Sequence, residues 1–272
     1  MSKVLLQDLI VSLFELYAPE DSLSAAALVE LLGGLDVEPG AARSSISRLK
    51  GKEILDHIST TDGPHYALHP DTRAQQKWNV QRVFAPARSS TGEPWALIIF
   101  SVPEPNRQHR YALKRKLSSL GFGFVAPGVA IAPKSSLEEA LFRLKQHEFL
   151  DYITYFTADY GESSDLQMKV RQWWDLGTLE QRYREFIDQY APMLDTLHSA
   201  NGQSAVTEGE ALSLYVPLFT RWKTFPYQDP NIPLRLLPVG WPAPRAKFIF
   251  LQLHEFLSNP AQARAKQLVN HS

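Results

Sequence analysis

The sequence predicts an α+β protein in three parts, and three features predict it. Three short amphipathic helices run into a pair of β-like segments within the first 70 residues. A strand–helix–strand–strand–helix–strand order follows across residues 95–158. Beyond residue 163 the apolar positions recur at helical spacing, between connections rich in Pro and Trp. The expected parts are residues 1–87, 92–162 and 163–272, with Arg88–Gly92 as a linker.

In the first part, Leu5, Leu6, Leu9, Ile10, Leu13, Phe14 and Leu16 form a helical stripe that Pro19 ends. Asp21 or Ser22 can start the next turn, and a second helix, Ala25 to Leu32, closes at Gly33-Gly34. A third begins near Glu38-Pro39, where proline is tolerated. Its buried stripe is Ala42, Ile46 and Leu49. The opposite face carries Gly40, Ser44 and Ser47 between Arg43 and Arg48, and Lys50 and Lys52 extend the charge. An Asp-Gly turn at Asp62-Gly63 then joins two β-like runs as a hairpin. This is the order of a winged helix-turn-helix. Small residues let a helix backbone approach the major groove, Arg pairs with phosphate or guanine, and Ser donates to phosphates or bases. A solvated face on a protein-interaction winged helix fits these residues equally. The wing offers His57 and His65 as its candidate positive charges.

Trp95–Val102 is an apolar run of strand length, stopped by Pro103 and Pro105. Leu113, Leu117 and Leu120 mark a helix capped at Gly121. Phe122–Ala126 and Val129–Ala132 flank the turn Ala126-Pro127-Gly128. Ser136 and Glu139 read as a capping box for a helix with Leu137, Ala140, Leu141 and Leu144 inward. Tyr152–Ala158 is the last strand, which completes a ferredoxin-like βαββαβ domain. The first helix presents Arg107, Arg110 and Lys114, a candidate anion-binding face or an ordinary solvated one. A metal-dependent nuclease on this fold needs a carboxylate at the end of the first strand. Glu104 after Pro103 does not supply a cluster.

The third part is mainly helical. Thr178 can cap a helix with Leu179, Tyr183, Phe186, Tyr190 and Leu194 inward. Ala211–Trp222 is another apolar helix, and Phe225–Trp241 is a proline-rich connection of low entropy. The last helix starts at Pro244. Trp173, Trp174, Arg221 and Trp222 are candidate ligand-binding residues, or core. His254-Glu255 lacks the spacing of a zincin, and no catalytic set or cofactor motif stands out, so no enzyme activity, no metal and no cofactor are expected.

Composition narrows the class. The chain has 272 residues, 44% of them hydrophobic, including 14 Phe, 10 Tyr and 6 Trp, which is ample for buried cores. The absence of cysteine excludes disulfides, thiolate zinc sites and Cys nucleophiles. Asp8 and Glu15 interrupt the apolar N-terminal stretch, which has no cleavage site and is not read as a signal peptide. No apolar run approaches the ~18 residues of a membrane span. A soluble cytoplasmic protein that binds no membrane is the expectation. The net charge is −1, and residues 1–85 carry eight Lys/Arg against eleven Asp/Glu, a net of −3. Any contact with DNA must therefore rest on local clustering.

Four stretches resemble the PaaX family of bacterial transcriptional regulators. They are ARSSISRLKGKEIL (42–55), WALIIFSVPE (95–104) with LGFGFVAPGVAIAP to 133, RYREFIDQYAPML (182–194) and DPNIPLRLLPVGWPAPRA (229–246). Together they span most of the chain. The resemblance places Arg43, Ser44, Ser47 and Arg48 at the family's DNA-facing positions. It implies a homodimeric repressor of an aromatic-catabolism operon. Its partner would be double-stranded operator DNA, and a CoA-thioester or aromatic effector, acyl- or aryl-CoA, would release it. Ala243 stands where the family commonly has Gly, and the wing is less basic than the family's. Alternatives are a non-catalytic interaction scaffold and, further off, a nuclease or thioesterase.

Overall fold

The computed structural model describes residues 4–18, 21–61, 63–74, 83–84, 93–161, 165–199 and 206–270. The linker expected at 88–92 and the turn residue Asp62 lie outside them. The described residues form helices and two small antiparallel sheets, an α+β architecture. They group into two compact units: Met1–Phe84 with Glu185–Lys223 and Arg245–Ser272, and Ala85–Arg184 with Thr224–Pro244. Residues 163–272 are thus divided between the two units.

The N-terminal stretch opens with α1 (Leu6–Tyr17), which buries Leu9, Ile10, Leu13 and Phe14. A two-residue strand, β1 (Leu23–Ser24), precedes α2 (Ala25–Gly33). The cap is Ser24, whose Oγ accepts from the Ala27 N–H at 2.9 Å, and not Asp21 or Ser22. Leu23 is held opposite Tyr66 in a sheet, so the helix cannot begin earlier. The end of α2 also differs from expectation. Gly34 is right-handed, and Asp36 takes the left-handed conformation at φ 60°. The Val37 N–H then bonds Leu32 O and the Asp36 N–H bonds Gly33 O, a Schellman closure.

Next come α3 (Pro39–Gly51), β2 (Leu55–Thr60) and β3 (Gly63–Leu68). Ala42, Ser45, Ile46 and Leu49 are the buried face of α3, and Glu53 at φ 55° closes it as Asp36 closes α2. β2 and β3 pair antiparallel from Leu55↔Leu68 to Thr60↔Gly63, and the sheet order is β1-β3-β2.

The second unit holds β4 (Trp95–Phe100), α4 (Arg107–Ser119), β5 (Gly123–Ala126), β6 (Val129–Pro133), α5 (Leu137–Gln146) and β7 (Ile153–Ala158). The sheet is fully antiparallel, in the order β5-β6-β4-β7. Ala96, Ile98 and Phe100 of β4 turn to one face, into a core with Leu113, Leu117, Ala140 and Leu144. Gly121 at φ 85° ends α4 with Phe122 N–H on Leu117 O, as its position predicts. The capping box expected at Ser136 does not form. Lys134–Ser136 is already a 3₁₀ turn, so the Ser136 backbone is helical and its side chain caps nothing. Glu139 is instead buried and accepts from Arg143 Nε at 2.7 Å.

α6 (Leu166–Trp173) leads to α7 (Leu176–Ser199), whose first turn is capped by Asp175 and not Thr178. The Asp175 carboxylate accepts the Thr178 N–H at 3.1 Å and its hydroxyl at 2.7 Å. α8 (Glu208–Trp222) carries a full capping box, Thr207 with Glu210. α9 (Ala243–Asn270) ends the described chain. Within the first unit α8 packs along α1. Thr220 Oγ1 donates to Ser12 Oγ at 2.8 Å, and Lys223 Nζ pairs with the buried Glu15 at 2.5 Å. The helices flanking the N-terminal module thus come from the far end of the sequence.

Candidate nucleic-acid interface and ligand cavity

The sequence of α3 separates its two faces. Ala42, Ile46 and Leu49 recur at helical spacing and are almost fully buried against α1 and α2. At about 100° per residue, Gly40, Ser44 and Ser47 point the opposite way, with Arg43 and Arg48 on either flank. All five are exposed, as are Lys50 and Lys52 at the C-terminal end. Among the described residues no ion pair engages Arg43, Arg48, Lys50 or Lys52, so their charge faces solvent. Thirteen helical residues span about 20 Å. Such a helix has a small, polar, cationic surface that a groove about 12 Å wide can admit.

The hairpin beside it offers less. His65 Nδ1 lies 2.9 Å from Thr60 Oγ1 and 3.3 Å from Gly63 O, so the ring is tied to its own turn. His57 sits edge-on against Tyr66 at 5.6 Å. Neither strand of the described hairpin carries Lys or Arg.

A cavity of about 700 Å³ opens in the second unit. Its walls are α4, through Tyr111, Lys114 and Ser118, and the Trp173–Thr178 connection. Arg182 and Pro230 close another side. Each wall has a local cause. Trp174 is held because its indole N–H donates to Gly121 O at 2.9 Å and its ring packs closely against Gly123. A Cβ at Gly123 would lie 2.6 Å from that ring, so glycine is required. Lys114 Nζ stands 5.1 Å over the Phe124 ring, and the Arg182 guanidinium stands 5.3 Å over Phe225 while bonding Thr224 Oγ1 at 3.2 Å. Asp175 stays ionised at the rim. The Thr178 hydroxyl, then the Thr178 N–H, holds its carboxyl below the usual carboxylate range. Lys116 on the same helix faces elsewhere, and burial and then Arg143 hold it below the usual lysine range. Cations above aromatic rings in a volume of this size suit a small anion with a flat apolar part.

The cavity takes in three of the expected ligand residues, Lys114, Trp173 and Trp174. The others go elsewhere. Arg110 donates to Val102 O at 2.9 Å and lies 3.7 Å from Glu104, and Arg107 is exposed at the start of α4. Arg221 and Trp222 belong to the first unit. Trp222 is buried, stacked on Phe250 at 4.8 Å with its N–H toward Val83 O. Arg221 pairs with Glu185 at 3.6 Å and with Gln189. Their tryptophan and arginine content suggested a pocket, but core packing and an ion pair account for it. Sequence reasoning missed Arg182, whose aromatic platform lies 43 residues away in the chain. It missed Tyr111 as well, and the signal was available in its i, i+3 spacing to Lys114. Among the described residues no group of three or more His, Asp or Glu could hold a metal ion, and no helix is long and apolar enough to cross a membrane.

Comparison with known proteins covers most of the chain. Residues 88–170 match the profile of the PaaX protein central Cas2-like domain, and residues 174–267 match that of the PaaX-like protein C-terminal domain. Over 240 residues the chain is 21% identical to the transcriptional repressor PaaX of Escherichia coli (strain K12), covering 87% of this chain and 75% of that protein. The solved structure of the uncharacterized protein Rv0674 from Mycobacterium tuberculosis superposes with a TM-score of 0.59 at 19% identity, covering 98% of this chain and all of the other. That likeness concerns the fold.

Proposed function

The chain belongs to the PaaX family, and on that premise we propose that it is a DNA-binding transcriptional regulator that reads operator DNA with the exposed face of α3. The observation that carries this reading is the segregation of α3. Its apolar face is sealed in the core, while Gly40, Arg43, Ser44, Ser47, Arg48, Lys50 and Lys52 face solvent together. In this reading residues 1–87 form a winged helix-turn-helix and α3 is its recognition helix. Arg43 and Arg48 contact phosphates or guanine edges, Ser44 and Ser47 donate to the backbone or bases, and Gly40 lets the helix start approach closely. Lys50 and Lys52 reach flanking phosphates. The βαββαβ order and the strand order of the second sheet support a ferredoxin-like domain there.

The protein works in the cytoplasm as a homodimer on a near-palindromic site, with its two recognition helices about 34 Å apart. It represses a catabolic operon, and a CoA thioester or a related aromatic acid relieves repression. The cavity lined by Lys114, Trp173, Trp174 and Arg182 is the place for that effector, because it joins positive charge to flat apolar walls.

The test is an electrophoretic shift with the DNA upstream of the protein's own gene cluster. Arg43→Ala and Arg48→Ala each abolish the shift and leave the far-ultraviolet circular dichroism unchanged. Retained shift by both variants overturns the assignment. It would favour the protein-interaction scaffold, toward which the lack of Lys and Arg on the described wing strands also points. Thermal-shift screening with CoA thioesters and free aromatic acids tests the cavity. A bound ligand raises the melting temperature of the wild type and not that of Lys114→Ala.

A further inference from the structure

The first unit holds a cavity of its own, of about 630 Å³. α2 lines it through Ala26 and Val29, α3 through Arg43 and Ile46, and β3 through Pro64 and Tyr66. The pairing of β1 with β3 builds it. Leu23 lies opposite Tyr66 and Ser24 opposite His65, which brings the start of α2 beside β3, and α3 packs against α2. Ile46 is 3% exposed and makes the floor. Tyr66 is half-buried, and His57 stands edge-on to its ring at 5.6 Å. Ala26, Arg43 and Pro64 are exposed and make the rim.

Arg43 therefore has two surroundings. It belongs to the exposed face of α3, and it is the cation of this cavity. Among the described residues it makes no hydrogen bond and no ion pair. The remaining walls are mostly aliphatic, and Glu30 on α2 is the cavity's carboxylate. These groups select among anions. A guanidinium matches a carboxylate with two parallel N–H···O bonds. A ligand with several phosphates needs several cations, and here it would meet one arginine and the charge of Glu30. A single carboxylate on an apolar body fits both the charge and the walls, and the volume is that of a small-molecule site.

We propose that this cavity binds an apolar monocarboxylate, with its tail over Val29, Ile46 and Tyr66 and its carboxylate on Arg43, and that the bound acid withholds Arg43 from DNA. The binding half stands on the cavity alone. The second half rests on the reading of α3 as the helix that meets DNA. The acid and the DNA compete for one side chain, so weakening needs no change of conformation.

Octanoate is the probe, with octanamide as its uncharged counterpart. Equilibrium dialysis of labelled octanoate uses the full-length chain carrying Lys114→Ala, which silences the cavity of the second unit. Saturable binding at one site per chain is expected. Adding Arg43→Ala weakens it about tenfold or more, as loss of a charged hydrogen-bond partner does. Val29→Trp fills the cavity and abolishes it, with the circular dichroism unchanged. Arg48→Ala, on the other flank of α3 and outside the cavity, binds octanoate as the parent does. Octanamide binds no better to the parent than to Arg43→Ala. No saturable binding at millimolar octanoate, or equal binding by the parent and Arg43→Ala, overturns the site. Fluorescence anisotropy with labelled operator supplies the second arm. Octanoate at about nine times its own Kd raises the apparent Kd for DNA about tenfold, and octanamide leaves it unchanged. A Kd for DNA that octanoate does not move overturns the competition. If the chain binds no DNA, the reading of α3 falls and the competition with it, and dialysis still decides the site.

Discussion

Arg48→Ala should change how DNA binding depends on salt, by an amount that the structure bounds. The module proposed to read DNA is acidic overall, so in that proposal attraction comes from the four cations on and beside α3: Arg43, Arg48, Lys50 and Lys52. The described hairpin strands add no Lys or Arg. Each phosphate neutralised contributes about −0.9 to the slope of log K against log salt, so four per chain give about −3.6 and a dimer about −7. Between ~50 and ~200 mM salt, that slope corresponds to a loss of roughly 10⁴-fold in affinity. Removing Arg48 takes away one contact per chain and makes the dimer's slope shallower by about 1.8. Fluorescence anisotropy with a labelled operator, titrated at several salt concentrations, reads the slope directly. A wild-type slope much steeper than −7 would mean that charges outside α3 grip the DNA. A slope that Arg48→Ala leaves within ~0.3 of wild type would mean that Arg48 meets no phosphate, and would refute the placement of α3.

Three further outcomes test the packing beneath the sites. Gly123→Ala drives a methyl into the Trp174 ring and threatens the indole bond to Gly121 O. It should lower stability by about 2–4 kcal/mol in urea titration, and a loss under ~0.5 kcal/mol would contradict the contact. Glu53→Gly relieves an exposed left-handed residue at φ 55°. It should raise stability by about 0.5–1 kcal/mol, visible as a higher melting temperature, and a lower one would contradict the closure. His254 is held below the ordinary histidine range by burial, with Glu255 opposing, and its Nδ1 lies 2.7 Å from the Tyr215 hydroxyl. The unfolded chain takes up this proton near pH ~6.5 and the folded chain only lower, so stability should fall as pH drops through that interval. The urea midpoint of His254→Gln should fall less between pH 7.5 and 5.5 than that of wild type, and equal falls would refute the link.

Much of the secondary structure was legible because local pattern and tertiary demand agree. The stripes of α1 and α3, the hairpin after α3 and the glycine at 121 all follow from side-chain spacing and backbone freedom. So does the βαββαβ order, since each apolar run has a length and period of its own. What escaped was decided by partners distant in the chain. β1 is two residues long and exists because β3 passes beside it. Asp36, Glu53 and Glu148 adopt the left-handed conformation that sequence reasoning reserves for glycine, and in each case the following apolar residue bonds back into the helix. Ser136 and Glu139 have the capping spacing, yet Arg143, one turn on, takes the carboxylate into the core.

The candidate sites divide along the same line. The α3 face could be read directly, since seven residues in thirteen positions define it and its buried counterpart. The cavity could be read only in part. Lys114, Trp173 and Trp174 stood out by type, but so did Arg221 and Trp222, which bury themselves against Glu185, Gln189 and Phe250. Arg182 has its aromatic platform in Phe225, a pairing that the fold makes and no local spacing signals.

Selection from a random DNA library tests the central claim most directly. Full-length protein is incubated with the library, bound molecules are amplified over several rounds, and the enriched pool is sequenced for wild type and for Ser44→Ala. The account predicts one enriched motif with two-fold symmetry, its half-sites about one helical turn apart, and a change of preference at defined positions in the Ser44→Ala pool. A wild-type pool with no enriched sequence would contradict it, and so would one identical to the pool from Ser44→Ala together with Ser47→Ala and Arg43→Ala.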